Sequence, residues 1–380
     1  MSDYPVIYWH EANEERSAQW RSESGMPPPK RVVIADDRMT ADTAYRLACE
    51  GCGLLWRGDY QNARQLLQAM ARRADDKPKK NKKTAASPTE AFHLYRQAQS
   101  QRSRTLGMLL LPFNADHSIP LRRAPDTKFA CAEVYGATCE PYILSLRGLL
   151  GLIGAHEWRK NGVEIPALKA KIHPHYGVFA PIRGEYIALV NDTPLPALTK
   201  SQSAAFDIGT GTGVLAAVLA RRGITRIVAT DQDPRALSCA RENLTNLKLA
   251  GQIEVVQTDL FPEGRAALIV CNPPWVPARP SSPLEYAVYD PESRMLKGFL
   301  NGLTEHLETG GEGWLILSDL AEHLKLRSRE ELLATIDTAG LQVLGKVDVK
   351  PHHPKVSDAS NPLHVARAAE TTSLWRLAAK

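Results

Sequence analysis

The residues best equipped for chemistry are Asn272-Pro273-Pro274-Trp275 and, well upstream, the glycine turn Asp207-Ile-Gly-Thr-Gly-Thr-Gly213. Asn272 offers a side-chain carbonyl oxygen and Pro273 a backbone carbonyl. Two acceptors held close together suit the two N–H bonds of a planar NH2 group. The lone pair of such a nitrogen is delocalised into a π system, so it attacks well only when both N–H bonds are held and the nitrogen can pyramidalise. Pro274 has no N–H to compete for those acceptors, and both prolines lock φ. Trp275 adds a flat face against which an amide or a base can stack. Gly209, Gly211 and Gly213 remove side chains where backbone must touch a ligand, and the helix N-terminus that follows favours a carboxylate. The pattern suits transfer of a group from a ligand on the glycine turn to a nitrogen gripped at Asn272.

These residues need a parallel sheet to bring them together. Ala204 to Ile208 is a short apolar run ending in the glycines, and Val214 to Arg222 follows with helical periodicity. A second apolar strand, Arg226 to Thr230, delivers Asp231, placed to accept hydrogen bonds from ribose hydroxyls. A third, Ile253 to Gln257, leads to Asp259 and Leu260, and a fourth, Ala267 to Cys271, runs into Asn272. The glycine spacing is not Gly-x-Gly-x-x-Gly, and no Gly-Lys-Ser/Thr follows, which argues against nicotinamide and nucleoside-triphosphate chemistry. Cys271 reads as a small core residue of its strand.

On these motifs the chain resembles the class I S-adenosylmethionine-dependent methyltransferases. The resemblance implies an α/β fold with a Rossmann-like seven-stranded sheet and S-adenosylmethionine as cofactor. It also implies that Asp207, Gly209, Thr210, Gly211, Gly213, Asp231, Asp259, Leu260 and Asn272 contact that cofactor. Asp259 is the residue expected at the adenine amino group, with Leu260 beside the ring. The segment His175-Tyr-Gly-Val-Phe-Ala-Pro-Ile-Arg-Gly-Glu-Tyr186 is similar to the lead-in that covers the donor, which adds Phe179 and Pro181. Asn272, Pro273, Pro274 and Trp275 resemble the Asn-Pro-Pro-aromatic acceptor motif of amino and amide N-methyltransferases, in which Tyr or Phe is more usual at the fourth position. Asp233 to Asn243 and Asn272 to Pro277 are most similar to the release-factor and ribosomal-protein glutamine methyltransferases. Tyr176-Gly-Val-Phe179 also resembles guanine-modifying ribosomal RNA methyltransferases, whose Asn-Pro-Pro-Phe-His is lacking here. The acceptor is therefore expected to be a protein glutamine amide or an exocyclic amine of ribosomal or transfer RNA. A binding subunit without activity is the third reading. The resemblance covers residues 170 to 380.

With 380 residues, 43% of them apolar, the chain is long enough for two cores. The expected division is an α-rich auxiliary substrate-recognition domain at 1–165 and a methyltransferase domain at 166–380, with a basic linker at 74–89. Ala41 to Arg73 reads as largely helical, broken near Gly51, Gly53 and Gly58. In the linker Lys77, Lys79, Lys80, Lys82 and Lys83 are a candidate phosphate-backbone contact; a solvated linker is the alternative. The net charge of +5 is only mildly basic. Cys49, Cys52, Cys131 and Cys139 have poor zinc spacing, and His352-His353 lacks companion ligands, so no metal is expected. Glu285, Tyr286, Tyr289 and Asp290 form a loop after the acceptor motif that either closes over substrate or is merely solvated. No apolar run spans a bilayer and no secretory signal is visible, which leads to the expectation of a cytoplasmic protein.

Overall fold

The computed structural model describes residues 4–76, 85–137, 140–201, 203–280, 283–351 and 361–380. The chain divides into two compact units, residues 1–85 with 93–157, and residues 86–92 with 158–380. The expected boundary at 165 thus falls at 157, because residues 158–165 pack with the second unit.

The first unit is rich in helix, as expected, but it also carries a sheet. It is built on a six-stranded mixed sheet of β1 (Val6–Glu11), β2 (Glu14–Arg21), β3 (Arg31–Ala35), β4 (Cys52–Trp56), β5 (Leu109–Phe113) and β6 (Tyr142–Ser145), in the order β1-β2-β6-β5-β4-β3. Its helices are α1 (Ala41–Cys49), α2 (Tyr60–Asp75), α3 (Pro88–Leu106), α4 (Lys128–Tyr135) and α5 (Leu146–Asn161), of which α3 and α5 each have one end in the second unit. The run Leu106 to Phe113 reads as a buried strand and contains β5, whereas β2 and β4 escape notice for physical reasons. The first four residues of β2 are all exposed, so no apolar alternation marks it, and β4 is a five-residue run buried on both faces that periodicity alone cannot distinguish from helix. Ile7, Trp9, Trp20, Leu55, Leu110 and Ile143 form a core cluster of this unit.

The second unit opens with the hairpin β7 (Val163–Ile165) and β8 (Ala170–Ile172) and helix α6 (Glu185–Asp192). Three parallel strands then alternate with helices: β9 (Ala205–Ile208), α7 (Val214–Arg221), β10 (Ile227–Asp231), α8 (Pro234–Asn246) and β11 (Ile253–Gln257). Next come β12 (Ala266–Cys271), α9 (Arg294–His306), β13 (Leu307–Ser318), α10 (Leu320–His323), α11 (Arg329–Thr338), β14 (Leu341–Val349), α12 (His364–Ala369) and β15 (Thr372–Ala379). The seven strands lie in the order β11-β10-β9-β12-β13-β15-β14, parallel except for β15, which runs antiparallel to both neighbours. The fold is thus an α/β one with a Rossmann-like seven-stranded sheet.

Both faces of the sheet are buried, as near-continuous apolar strands require. Ala205, Leu268 and Val270 pack with α7 on one face. Phe206, Ile208, Ile269 and Cys271 pack on the other with Leu296, Phe299, Leu300 and Leu303 of α9, whose spacing is that of one helical stripe. Asn272 is carried by β12, and the core around that strand holds it in place. Replacing the fully buried Leu268 by Ala should cost about 2–5 kcal/mol of unfolding free energy, as cavity-forming core substitutions do. Urea titration followed by circular dichroism measures it.

Candidate active site

Register brings the two motifs together. Strands β9 and β12 are hydrogen-bonded neighbours, and Ile208 pairs with Cys271. The next residue on each strand is Gly209 on one and Asn272 on the other, so the glycine turn and the acceptor motif leave the sheet side by side. Asp231 ends β10 at the same edge. This is the carboxyl-terminal edge of an open parallel sheet, where ligands bind. A cavity of about 790 Å3 opens there, within the range of small-molecule sites. Of the residues expected to line it, Phe179, Gly209, Thr210, Gly211, Asp231, Asp259, Leu260, Asn272, Pro273, Pro274 and Trp275 do so.

Asp207, Gly213 and Pro181 are not among the residues that line the cavity. Asp207 sits beneath the glycine turn, where its Oδ2 accepts from Thr210 Oγ1 at 2.6 Å and from the Ala216 backbone N–H at 3.0 Å. It is a brace for the turn and the start of α7. Burial pushes its carboxyl up to about 6 despite those two donors. Gly213 is needed for packing, since a Cβ there would stand 3.3 Å from the Ala240 backbone of α8.

On the donor side, Gly209 has φ +71, and a Cβ would meet the Met295 Cε methyl at 2.5 Å. Gly211, at φ +54, faces open space and gives its N–H to Asp231 Oδ2 at 3.0 Å. Asp231 Oδ1 accepts from the Asp233 N–H at 2.9 Å. Burial raises the Asp231 pKa, the two backbone donors opposing it. A carboxylate has about four acceptor positions, so this one keeps capacity for hydroxyl donors of a ligand. Asp259 is engaged by the Arg294 guanidinium from α9, and both line the cavity. Leu260 reaches the cavity from a left-handed backbone at φ 79, pinned by Thr230 Oγ1 donating to its carbonyl at 2.6 Å.

On the acceptor side, Trp275 has a second role besides its flat face. Its indole Nε1–H donates to Asn272 Oδ1 at 2.9 Å. A Tyr or Phe ring has no equivalent N–H. The bond fixes the amide so that its oxygen, and not its NH2, occupies that position, and it leaves the second lone pair of the oxygen free for another donor. Burial raises the pKa of the Cys271 thiol well above its usual value, which removes it as a nucleophile.

Residues 171–336 match the family model described as the methyltransferase small domain. That stretch is a methyltransferase domain. The chain is 29% identical over 168 residues to a putative protein N5-glutamine methyltransferase of Methanocaldococcus jannaschii, covering 42% of this chain and 80% of the relative. It is 37% identical over 121 residues to a release factor glutamine methyltransferase of Cereibacter sphaeroides, covering 31% and 40%. A ribosomal protein L11 methyltransferase of Pelotomaculum thermopropionicum is 48% identical over 69 residues, covering 18% and only 22% of that relative's length.

Several cavity residues were not singled out in the sequence, Arg183 although it lies within the segment 175–186. Arg183 and Glu370 line it, as does Phe92, whose ring lies 6.3 Å from that of Tyr289. Phe92 and Glu370 stand outside the matched methyltransferase domain. Arg294 and Met295 gave no signal because helix α9 reads as an ordinary amphipathic segment. Tyr286 and Tyr289 of the following loop line the cavity, whereas Asp290 is buried and caps α9 by accepting from the backbone N–H groups of Met295 and Leu296, both at 3.1 Å. Cys49 and Cys52 are free, and Cys139, the linker lysines and His352-His353 lie outside the described residues. Among the described residues no helix is long and apolar enough to cross a membrane.

Because burial pushes the Asp207 carboxyl up to about 6, above its ordinary range, protonation favours the folded state. Its contribution to stability is full below about 4 and is lost as pH rises through about 6. The difference in thermal stability between wild type and Asp207→Asn should therefore move against wild type across that window and be level above it. Calorimetric melts at pH 4 to 8 check this.

Proposed function

We propose that this chain transfers the methyl group of S-adenosylmethionine to a planar NH2 nitrogen of a macromolecule of the translation apparatus, and that the acceptor is a protein glutamine amide. The observation that carries this reading is the Trp275-to-Asn272 hydrogen bond in the same cavity as the glycine turn, which presents a fixed oxygen acceptor beside a donor site. The names of the glutamine-modifying relatives support the choice of acceptor.

The residues fit the cofactor. Gly209, Thr210 and Gly211 leave the backbone bare where an amino-acid moiety would lie, and Asp231 keeps free lone pairs for ribose hydroxyls. Leu260 and Phe179 offer apolar surface to an adenine ring, with Asp259 at its edge. When bound, the sulfonium supplies an already activated methyl group. The protein then has mainly to hold and align the nucleophile. Asn272 Oδ1 and the Pro273 carbonyl grip the two N–H bonds, and Trp275 backs the plane of the amide. Methylation leaves the nitrogen with a proton it readily loses, so no strong base is required. The first unit is proposed to present the substrate, which makes a role for the basic segment at 77–83 a question of the acceptor's identity.

Incubation with methyl-labelled S-adenosylmethionine and a lysate from a strain lacking the protein tests the reading. Label should resist nuclease and be released by protease. Label in nuclease-sensitive material would replace the amide by an RNA base amine, and no label at all would favour a binding subunit. Asn272→Ala should abolish transfer while leaving donor affinity nearly unchanged. Asp231→Ala should weaken donor binding by about 1–3 kcal/mol through lost hydrogen bonds. Isothermal calorimetry with S-adenosylmethionine measures both affinities.

A further inference from the structure

A pair of charged residues stands at the acceptor end of the cavity with no part in the reading so far. Glu370, at the end of α12, is 1% exposed and lines the cavity. Its Oε1 accepts from Arg183 Nη1 at 3.2 Å and from Ser318 Oγ at 2.8 Å. Its Oε2 is buried and has no hydrogen-bond partner among the described residues. Arg183 also lines the cavity, and its guanidinium carbon lies 6.0 Å from the centre of the Trp275 ring. Three contacts thus run in series: Glu370 holds Arg183, Arg183 faces Trp275, and Trp275 holds Asn272.

We propose that Arg183 and Trp275 are the two walls of a slot for the planar acceptor amide, and that Glu370 is the positioning residue that holds the arginine wall in place. The inference rests on the N-methyltransferase reading above. A flat group in van der Waals contact with both walls needs about 3.5–4.0 Å on each side, so the gap widens by an ångström or more when the amide enters. The pair is made to allow that. Arg183 is tied to one carboxylate oxygen through one nitrogen, and the unfilled Oε2 can take up a second N–H as the guanidinium shifts, so the ion pair survives the opening. Arginine suits this wall because its charge is spread over a plane that stacks on π surfaces, whereas a lysine ammonium is a compact point charge. The slot selects a flat, uncharged NH2 group. A carboxylate side chain of the same shape would lack the N–H bonds that Asn272 and Pro273 require, and it would meet their oxygens with like partial charge.

The test uses the full chain and a fixed stock of lysate protein as acceptor. Initial rates of label incorporation are measured against lysate concentration for wild type, Arg183→Ala, Arg183→Lys and Glu370→Gln, with donor affinity by calorimetry and folding by thermal melt. Arg183→Ala should raise the lysate concentration for half-maximal rate by about tenfold, the size of a lost stacking contact to a cation. Arg183→Lys should recover little of that loss, because the charge returns without the plane. Glu370→Gln should raise the same concentration while leaving the maximal rate near wild type, a split that general loss of structure would not produce. Donor affinity should stay within about twofold in all three, as for sites that share no contact. Wild-type acceptor dependence in Arg183→Ala and Glu370→Gln, or full rescue by lysine, overturns the slot. So does a loss of donor affinity that parallels the loss of rate. Should Arg183→Ala not fold, Arg183→Lys and Glu370→Gln decide the matter alone. Failure of wild type to label protein defeats the underlying reading instead, and is seen before any variant is made.

Discussion

Two parallel strands buried on both faces can place polar side chains only where they leave the sheet, and the pairing of β9 with β12 makes those exits adjacent. The core therefore determines the site. A one-residue slip between these strands would turn Leu268 and Val270 toward the face that Ile269 and Cys271 now fill, and would carry Asn272 away from Gly209. Around this fixed pair the remaining parts are adjustable: loops, the ends of α9 and α12, and the segment before α6. A rigid edge with variable surroundings is the usual way one fold serves many substrates.

Polar groups near that edge divide by depth. Asp207 lies at the bottom, raised in pKa by burial and holding the turn through Thr210 and Ala216. Asp231 lies above it, bonded to backbone N–H groups on both oxygens yet lining the cavity. Asp259 is the most exposed of the three and is paired with Arg294. The three acids differ in exposure, which rises from the sheet outward.

The catalytic half was legible in the sequence because its signals are local. A glycine turn after Ile208, an acid after Thr230 and a proline pair after Cys271 each mark a strand end, and the apolar runs before them are short and bounded. In the first unit the helices and β5 were legible but most of the sheet was not, for the opposite reason: β2 is polar along its first half, and β4 is too short and too buried to show a period. Within the site, the hidden parts are those created by tertiary contact. Nothing near Glu370 in the chain foretells that it meets Arg183, and Trp275 reads as a stacking surface until its N–H is seen on Asn272. Asp207 likewise reads as a motif acid until its bonds to Thr210 and Ala216 show that it supports the turn from beneath.

Helix α9 has a further consequence. Within its first turn Met295 packs against Gly209 and Arg294 holds Asp259, while Asp290, which caps the helix, closes the loop that carries Tyr286 and Tyr289 to the same cavity. On the proposed function, donor and acceptor share that helix as one mechanical partition. A displacement of it by one ligand would bias binding of the other, and by reciprocity each would alter the other's affinity by the same factor.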